Sequence, residues 1–327
     1  MLVGAPLTAT LCLVFLIGYM VIQTREVAFD ASQSATSERA TTVEPFPIGV
    51  DPLRKTITEL PNADSYLGDN RNAESLAERS VFSHIMASLI NFSWYQNLAS
   101  PSGRILIIQP GERKEEAARN FGKILGWTQS DRAQFMRIIA SSTPLVHEGT
   151  YYPATYVTKR NARPEEVAPL VIERFETEVL SRYTEEVAAQ VPLHDALTVA
   201  SLLEREAAGF EDMRLISGVI WNRLFVGMKL QLDATLQYAK GNERERSFWT
   251  IPVPDDKNIK SPYNTYQNEG LPPSPIANPS LDAIVAALNP KKTDCMFYFH
   301  DDHGAFHCAP TYEGHVALLK QYYGQGK

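Results

Sequence analysis

The chain has 327 residues with a formal net charge of −7, and 44% of its residues are apolar, 21% charged and 10% aromatic. This length accommodates about two domains of ordinary size, and the composition is that of a globular protein. The acidic balance, with no dense cluster of Lys and Arg, argues against a nucleic-acid partner, because such binding places basic side chains against phosphates.

The first predicted element is a transmembrane helix over residues 1–25. No charged residue occurs from Met1 to Thr24, and the stretch from Leu11 to Ile22 is almost wholly apolar. That span approaches the roughly 20 residues needed to cross a bilayer. A cleaved signal peptide is the alternative, although the stretch lacks a basic start and a small-residue cleavage site. The flanking charges do not orient the helix, since no Lys or Arg precedes it.

Two segments of different character follow the predicted helix. Residues 26–48 are rich in Ala, Ser and Thr and predict a flexible linker. Residues 49–142 predict a small α/β module, LysM-like in layout, with a helix near residues 81–90, a strand from Arg104 to Gln109 and a helix around Ala117 to Leu125. This module carries no catalytic pattern, so binding or spacing is its expected role.

Residues 143–327 predict an α+β domain. Its prolines concentrate between residues 251 and 280, which predicts a rigid irregular loop. Two apolar runs, CMFYF and AFHC, predict a hairpin. The predicted helices of this domain are Pro164–Tyr183, Asp195–Ala208, Met213–Val226 ended by Gly227, a helix capped by Asn278-Pro279 and running through Leu288, and Tyr312–Tyr323.

The three cysteines are too few for a disulfide framework. Cys12 lies inside the predicted membrane helix, which leaves Cys295 and Cys308 in the two runs of the hairpin. A cross-strand disulfide and two buried thiols both fit this placement.

Two carboxylates on one predicted helix are the candidate acid groups. Glu204 and Glu206 lie two residues apart in TVASLLEREAA and so point about 200° apart around the helix axis. Each has apolar neighbours on its own face, so periodicity does not choose between them. A Glu against an apolar face is paired with a cation, protonated or functional, because burial disfavours its charged form. The structural alternative is an ion pair with Arg205, Arg214 or Arg223.

Five segments, in order, resemble the endolytic murein transglycosylase family, MltG type. The resemblance covers residues 148–316, and its segments are EGTYYPATY, ASLLEREAA, GVIWNRLFVGMKLQLDAT, SPYNTYQNEGLPPSPIANP and ALNPKKTD. It implies an enzyme that cleaves the MurNAc to GlcNAc β-1,4 bond of nascent peptidoglycan without water and leaves 1,6-anhydro-MurNAc ends. The family's essential acid is the second Glu of the helix motif, which is Glu206 here.

The same resemblance implies the surroundings of the enzyme. It places the chain in the inner (plasma) membrane as a single-pass protein through residues 1–25, with the catalytic domain on the extracytoplasmic side. Peptidoglycan glycan strands are the expected partner, peptidoglycan synthases are candidate protein partners, and neither a cofactor nor a metal is expected. The implied activity would end glycan strand elongation. For residues 49–142, which lie before the matching segments, glycan binding is a candidate role.

Other residues of the matching motifs are candidates for substrate binding. Amide, carboxyl and hydroxyl groups can bind sugar hydroxyls, and aromatic rings can stack on pyranose rings. These candidates are Glu148, Asn222, Asp233, Thr235, Tyr263, Asn264, Thr265 and Tyr266. A structural role is the alternative for each, such as tying helices together or fixing the proline-rich loop.

The chain departs from the family pattern at three places. Asp233-Ala234-Thr235 stands where the family has DPT, and Pro272-Pro273-Ser274 stands where it has PPG. In the hairpin the order is Gly304-Ala305-Phe306-His307-Cys308 rather than Gly-x-His-x-Phe, so the match covers His315 but not His307.

Two rival functions fit parts of the sequence. A metal-dependent cell-wall hydrolase would explain why His300, His303, His307 and His315 gather near the C-terminus, but their spacing matches no familiar zinc pattern. A non-catalytic scaffold that binds the cell wall through residues 49–142 is the third class. The presence of Glu206 favours the enzyme.

Overall fold

The computed structural model describes residues 18–22, 24, 43–60, 66, 89–90, 92–99, 103–143, 148–241 and 247–324. The helices of eight residues or more are α2 (Lys114–Leu125), α3 (Gln129–Ser142), α4 (Pro164–Phe175), α6 (Leu193–Glu206), α7 (Phe210–Phe225), α8 (Asp233–Lys240), α9 (Leu281–Leu288) and α10 (Tyr312–Tyr323). The shorter helices are α1 (Ser93–Ala99) and α5 (Glu185–Gln190). A π-helical turn at Glu176–Leu180 follows α4, and Pro254–Asn258 is a 3₁₀ turn.

Strands pair as three antiparallel two-stranded sheets within the described residues. These are β1 (Val50–Asp51) with β2 (Thr56–Ile57), β3 (Gly103–Ile108) with β4 (Ala154–Lys159), and β5 (Phe297–His300) with β6 (Phe306–Ala309). The chain is therefore a mixed α+β protein, as predicted. The β3–β4 ladder joins Ile105 to Val157, so it crosses the predicted boundary at residue 143.

The core also spans the two predicted segments. Helix α6 is buried on every face through its middle, with eight consecutive buried residues ending at Leu203. It packs against α9, whose six residues from Ala283 to Leu288 are all buried. Such helices are stable only inside a protein core. Phe121 and Phe135, from the first segment, belong to the same cluster of buried side chains. Helix α6 therefore fixes its C-terminal residue, Glu206, relative to both segments.

Part of the predicted linker packs against the rest of the protein. Phe46 is 3% exposed, and its amide donates to the carbonyl of Arg182 at 3.0 Å. Pro47 accepts a hydrogen bond from the side chain of Asn289 at 2.6 Å. The last residues of the predicted linker, 26–48, are thus part of the packed protein, because the apolar FPIG segment buries Phe46.

The predicted membrane helix falls mostly outside the described residues. Residues 18–22 and 24 are helical, and Met20 and Val21 are buried against Tyr95 and Ile105. None of the helices among the described residues has both the length and the apolarity needed to cross a membrane. The predicted helix near residues 81–90 likewise lies outside the described residues, apart from Leu89 and Ile90.

Several predicted elements agree with the structure, and some differ. Helix α10 has the predicted bounds, and Gly227 after α7 adopts a left-handed φ of 70°. The cap predicted at Asn278 is wrong: α9 begins after Ser280, whose hydroxyl accepts from the amide of Ala283. Asn278 is buried and binds the amide of Tyr151 instead. Helices α3, α5 and α8 were not predicted from the sequence.

The hairpin closes with a disulfide. Cys295 and Cys308 are bonded, which decides between the two alternatives left by the sequence. Cys295 stands two residues before β5 and Cys308 lies in β6, so the bond joins the two arms of the hairpin near its open end.

Candidate active site

Glu206 is the last residue of α6 and reaches two hydrogen-bond donors from other elements. Its Oε1 accepts from the backbone amide of Ala234, in the first turn of α8, at 3.2 Å. Its Oε2 accepts from the hydroxyl of Tyr298, on β5, at 3.1 Å. The carboxyl group therefore sits where α6, α8 and the hairpin meet.

The surroundings of Glu206 favour its protonated form. Burial raises the pKa of this carboxyl group, and the nearby Asp233 raises it further. The hydrogen bonds from Ala234 and Tyr298, together with His300, lower the pKa and offset part of that shift. A raised pKa lets a Glu hold a proton at a pH where an exposed Glu has lost it, as a general acid requires.

The structure gives Glu204 and Glu206 different hydrogen-bond partners, a difference that helical periodicity does not predict. Glu204 Oε2 accepts from the amide of Ser280 at 2.8 Å and from its hydroxyl at 2.6 Å, so Glu204 holds the start of α9. The alternative of an ion pair between a Glu and Arg205, Arg214 or Arg223 is not found for Glu206 within the described residues. Arg205 instead lies over the ring of Trp249, at 3.8 Å from its centroid.

Alternate residues of β5 place two side chains on the same face, toward the helices. Tyr298 contacts Glu206, and the Nε2 of His300 lies 3.0 Å from each carboxylate oxygen of Asp212, in the first turn of α7. Tyr298 also stacks on Phe306 of β6, with ring centroids 5.7 Å apart. The hairpin thereby covers the carboxyl end of α6.

The Asn-Arg pair of α7 holds the backbone that leads into this hairpin. The side-chain amide of Asn222 donates to the carbonyls of Thr293 at 2.8 Å and Cys295 at 3.1 Å. The guanidinium of Arg223 donates to the carbonyl of Met296 at 2.6 Å. Asn222 thus makes internal contacts in this structure, and its predicted contact with substrate stays a prediction.

Two motifs that are distant in sequence join beside Glu206. The hydroxyls of Thr235 and Thr265 lie 2.9 Å apart, and Thr265 also accepts from the amide of Leu232. Both threonines are buried, at 0% and 1% exposure. They fix the start of α8, and with it the Ala234 amide that Glu206 accepts from.

Asp233 and Tyr266 form the accessible part of the same junction. The hydroxyl of Tyr266 donates to Asp233 Oδ1 at 2.7 Å, and Asp233 is exposed. Both residues interact electrostatically with Glu206: Asp233 raises the pKa of Glu206, and Glu206 raises the pKa of Tyr266.

The remaining aromatic and amide candidates shape the proline-rich loop. The hydroxyl of Tyr263 lies 2.7 Å from that of Ser274, and its ring is 4.6 Å from the ring of Tyr238. Asn264 is fully buried, and its amide donates to the carbonyls of Lys257 and Ile259. The loop is thereby held in one shape by its own side chains.

Glu148 lies apart from the contacts of Glu206. Its carboxyl group is fully buried, and Oε1 accepts from the amide of Lys114 at 2.8 Å, at the start of α2. Burial raises the pKa of Glu148 to about 8. The neighbouring Arg113 donates to the carbonyl of Gly241, the residue that follows α8, at 2.9 Å, so Glu148 lies near the C-terminal end of that helix and Glu206 near its start.

The C-terminal histidines bind separate partners. His300 pairs with Asp212, and His307 pairs with Asp301 at 2.8 Å, on the outer part of the hairpin. The described residues contain no group of three or more His, Cys, Asp and Glu side chains placed to hold a metal ion.

Sequence reasoning missed Tyr298, Asp212 and the role of His300. Tyr298 and His300 are separated by one residue in a predicted strand, which places them on one face. That spacing was the available signal. Their partners, Glu206 and Asp212, lie about 90 residues away in sequence, and only the fold brings them together.

A family model places the chain among known proteins. The model described as YceG-like family matches residues 77–321, which is most of the chain. The chain belongs to the YceG-like family. That match includes α6, α8 and the hairpin, and with them Glu206 and its hydrogen-bond partners Ala234 and Tyr298.

Two curated relatives carry the name endolytic murein transglycosylase. The protein from Streptococcus pneumoniae is 36% identical over 169 residues, which are 51% of this chain and 31% of that protein. The protein from Bacillus subtilis is 35% identical over 176 residues, which are 54% of this chain and 48% of that protein. The match thus spans less than half the length of each relative.

A solved structure shares the fold. The 2.6 Å crystal structure of a yceG-like protein from Listeria monocytogenes matches with a TM-score of 0.58 at 23% identity. The match covers 78% of this chain and 89% of that one. It supports the YceG-like architecture, and at this identity it speaks for the fold alone.

Proposed function

We propose that this YceG-like protein is a lytic transglycosylase that cleaves the MurNAc to GlcNAc β-1,4 bond of peptidoglycan, with Glu206 as its acid and base. The observation that carries the proposal is the setting of Glu206, a carboxyl group of raised pKa at the junction of α6, α8 and the hairpin. The two relatives named endolytic murein transglycosylase support the same reaction.

One carboxyl group is enough for this chemistry. Ordinary glycosidases use two, of which one protonates the leaving oxygen and the other acts as nucleophile or base. In the proposed reaction Glu206 gives its proton to the glycosidic oxygen, and the bond to C1 breaks. The 6-hydroxyl of the same MurNAc then attacks C1 and gives its proton to Glu206, which forms the 1,6-anhydro ring and regenerates the acid.

The surroundings of Glu206 suit both halves of that cycle. The raised pKa keeps the proton available for the first step. The donors at Ala234 and Tyr298 then stabilise the carboxylate that the first step leaves behind. Asp233 and Tyr266, at the accessible side, are the residues that we propose bind sugar hydroxyls, and their mutual hydrogen bond at 2.7 Å supports a shared site.

Localisation and partners complete the proposal. An apolar N-terminal stretch without charged residues supports a single-pass anchor in the inner membrane, with the catalytic domain on the extracytoplasmic side where peptidoglycan lies. Cleavage within nascent strands would end their elongation beside peptidoglycan synthases. These statements rest on the sequence and on the proposed activity.

The test is digestion of purified glycan strands by the full-length chain, with products identified by mass spectrometry. Wild type is compared with Glu206→Gln, which keeps the size of the side chain but cannot act as the acid. Glu204→Gln is the matched control, because it makes the same change on the same helix at a residue that caps α9. We expect 1,6-anhydro-MurNAc ends from wild type and Glu204→Gln, and none from Glu206→Gln.

Other products would contradict the proposal in distinct ways. Reducing ends would mean a hydrolase, which needs a second carboxylate beside Glu206. Asp233, whose charge raises the pKa of Glu206, is the candidate for that role. Retained activity in Glu206→Gln would remove Glu206 from the mechanism. Absence of product from the wild type, together with binding to the strands, would favour the scaffold that attaches to the cell wall.

A further inference from the structure

The two oxygens of Glu206 face donors of different chemical capacity. Oε1 accepts from the amide of Ala234, and a backbone amide can only donate. Oε2 contacts the hydroxyl of Tyr298, which can donate or accept. When Glu206 carries a proton, its Oε2 can therefore donate to Tyr298, whereas Oε1 keeps its bond to Ala234 unchanged.

Tyr298 is also held in place independently of Glu206. Its ring stacks on Phe306 at an interplanar angle of 19°, and the disulfide joins the arms of its hairpin. Asn222 and Arg223 hold the backbone just before β5. The hydroxyl can thus rotate about its C–O bond while the ring stays fixed.

We propose that Tyr298 is a second catalytic residue, whose hydroxyl exchanges its acceptor and donor roles as Glu206 loses and regains its proton. This inference rests on the proposed function for the identity of the reaction. The contact with the reacting oxygen of Glu206 is independent of the substrate.

The exchange follows the proton through both steps. Before cleavage, Glu206 is protonated and Tyr298 accepts from Oε2. During cleavage the Oε2 proton turns from Tyr298 to the glycosidic oxygen and passes to it as the C1–O bond breaks. The Tyr298 hydroxyl then rotates and donates to the new carboxylate. When the 6-hydroxyl attacks C1, its proton returns to Glu206, and Tyr298 accepts again. No proton is lost from Tyr298, since burial raises its pKa well above the usual value for tyrosine.

The pH dependence that follows takes into account the titratable groups of the described residues that interact with Glu206 or Tyr298. Charged and titratable groups that bear on Glu206 or Tyr298 come from α6, α7, α8, β5 and the proline-rich loop, and they are Arg205, Asp212, Arg223, Asp233, Tyr266 and His300. Replacing Tyr298 with Phe removes one donor to the carboxylate and leaves these six groups in place. The pKa of Glu206 should therefore rise by about one unit.

The first measurement is direct titration of Glu206 by carbon-13 NMR of the Glu carboxyl groups in the full-length chain, with the signal assigned by its loss in Glu206→Gln. Wild type is compared with Tyr298→Phe and with Tyr183→Phe. Tyr183→Phe is the matched control, since it removes a hydroxyl that donates to the carbonyl of Val191, outside the contacts of Glu206. We expect the midpoint to move about one pH unit upward in Tyr298→Phe only.

The second measurement is the pH profile of strand cleavage for the same three proteins. Cleavage requires protonated Glu206, so its rate falls as the pH rises through the pKa of that group. In Tyr298→Phe we expect this fall about one pH unit higher and a kcat about tenfold lower on the plateau, because the carboxylate formed by cleavage has lost a donor. Tyr183→Phe should keep the wild-type profile.

The outcomes distinguish this inference from the proposed function. An unchanged midpoint in Tyr298→Phe overturns the role of Tyr298, whatever the substrate. An unchanged kcat and profile in Tyr298→Phe, beside an active wild type, overturns it as well. A wild type that makes no anhydro ends contradicts the proposed function, and the NMR titration then still decides whether Tyr298 acts on Glu206.

Discussion

Glu204 and Glu206 stand two residues apart on one helix and do different work. Glu204 accepts two hydrogen bonds from Ser280 and holds the start of α9, whereas Glu206 faces Ala234 and Tyr298. Both residues have apolar neighbours along the helix, and the choice of Glu206 rests on the family resemblance. The difference lies in their distant partners, which periodicity along one helix does not contain.

That difference predicts that replacing Glu with Gln lowers the free energy of unfolding at position 204 and does not lower it at position 206. Glu204→Gln weakens two hydrogen bonds to a carboxylate and should lower the free energy of unfolding by about 2 kcal/mol. Glu206→Gln removes a carboxyl group whose charged form is disfavoured by burial, and it should leave stability unchanged or higher at neutral pH. Denaturant unfolding of both variants beside wild type measures this. Equal losses in the two variants would contradict the assignment.

Glu148 makes a prediction about pH. Its pKa is raised to about 8, so folding favours its protonated form. This contribution to stability is fully present below the unfolded value of about 4.3 and is lost as the pH rises to about 8, with a slope of at most about 1.4 kcal/mol per unit. Gln does not titrate, so the stability of Glu148→Gln lacks this pH dependence. As the pH rises between these limits, the free energy of unfolding of wild type should therefore fall relative to that of Glu148→Gln.

Denaturant unfolding at several pH values tests Glu148. Glu166→Gln is a suitable control, because Glu166 is a partly exposed carboxylate whose pKa is lowered rather than raised. A constant difference between Glu148→Gln and wild type across this pH range would mean that Glu148 titrates alike in the folded and unfolded chain.

At the scale of elements, the hairpin and α7 act together. Asn222 was predicted to bind substrate, yet its amide holds the carbonyls of Thr293 and Cys295. Asn222→Ala leaves both carbonyls without that donor and should cost about 1 to 3 kcal/mol of stability. It should also lower kcat more than it raises KM, because Tyr298 follows on the same segment.

Denaturant unfolding and steady-state kinetics separate the two roles of Asn222. A direct contact with substrate predicts the reverse pattern, which is a raised KM at unchanged stability. Asn222→Asp serves as the second variant, since it keeps the size of the side chain and removes the amide donors.

Local patterns predicted several elements well, and contacts between elements explain the misses. Helix α10 and the hairpin follow from apolar spacing and turn residues, so they were predictable. Helix α8 has only eight residues, so its apolar pattern is too short to predict a helix. Its start is held by the contact between Thr235 and Thr265, which the sequence pattern does not contain. The N-cap of α9 is Ser280 rather than Asn278, because the side-chain oxygen of Asn278 accepts a hydrogen bond from the amide of Tyr151.

At the scale of the whole molecule, the two predicted segments share a sheet and a core. Strand β3 comes from residues 49–142, and its partner β4 comes from residues 143–327. A fragment of residues 143–327 alone would expose the edge of β4 and the apolar side chains that pack on Phe121 and Phe135. We expect this fragment to lack cooperative unfolding, while residues 43–327 retain it.

Thermal unfolding followed by circular dichroism compares the two fragments. The fragment of residues 43–327 is the matched control, because it keeps Phe46 and Pro47, which pack against the second segment. A sharp transition in residues 143–327 alone would show that the boundary at residue 143 separates two independent domains.

The disulfide of the hairpin also bears on the cellular compartment of the domain. Such bonds persist in oxidising compartments and are rare where thiols are kept reduced. Under the proposed membrane anchoring, the redox state of Cys295 and Cys308 therefore indicates on which side of the membrane the domain lies. A thiol-alkylating reagent applied to freshly lysed cells would leave both unlabelled if the domain faces the extracytoplasmic side. Cysteines accessible to the reagent only after reduction would then report topology without any fusion tag.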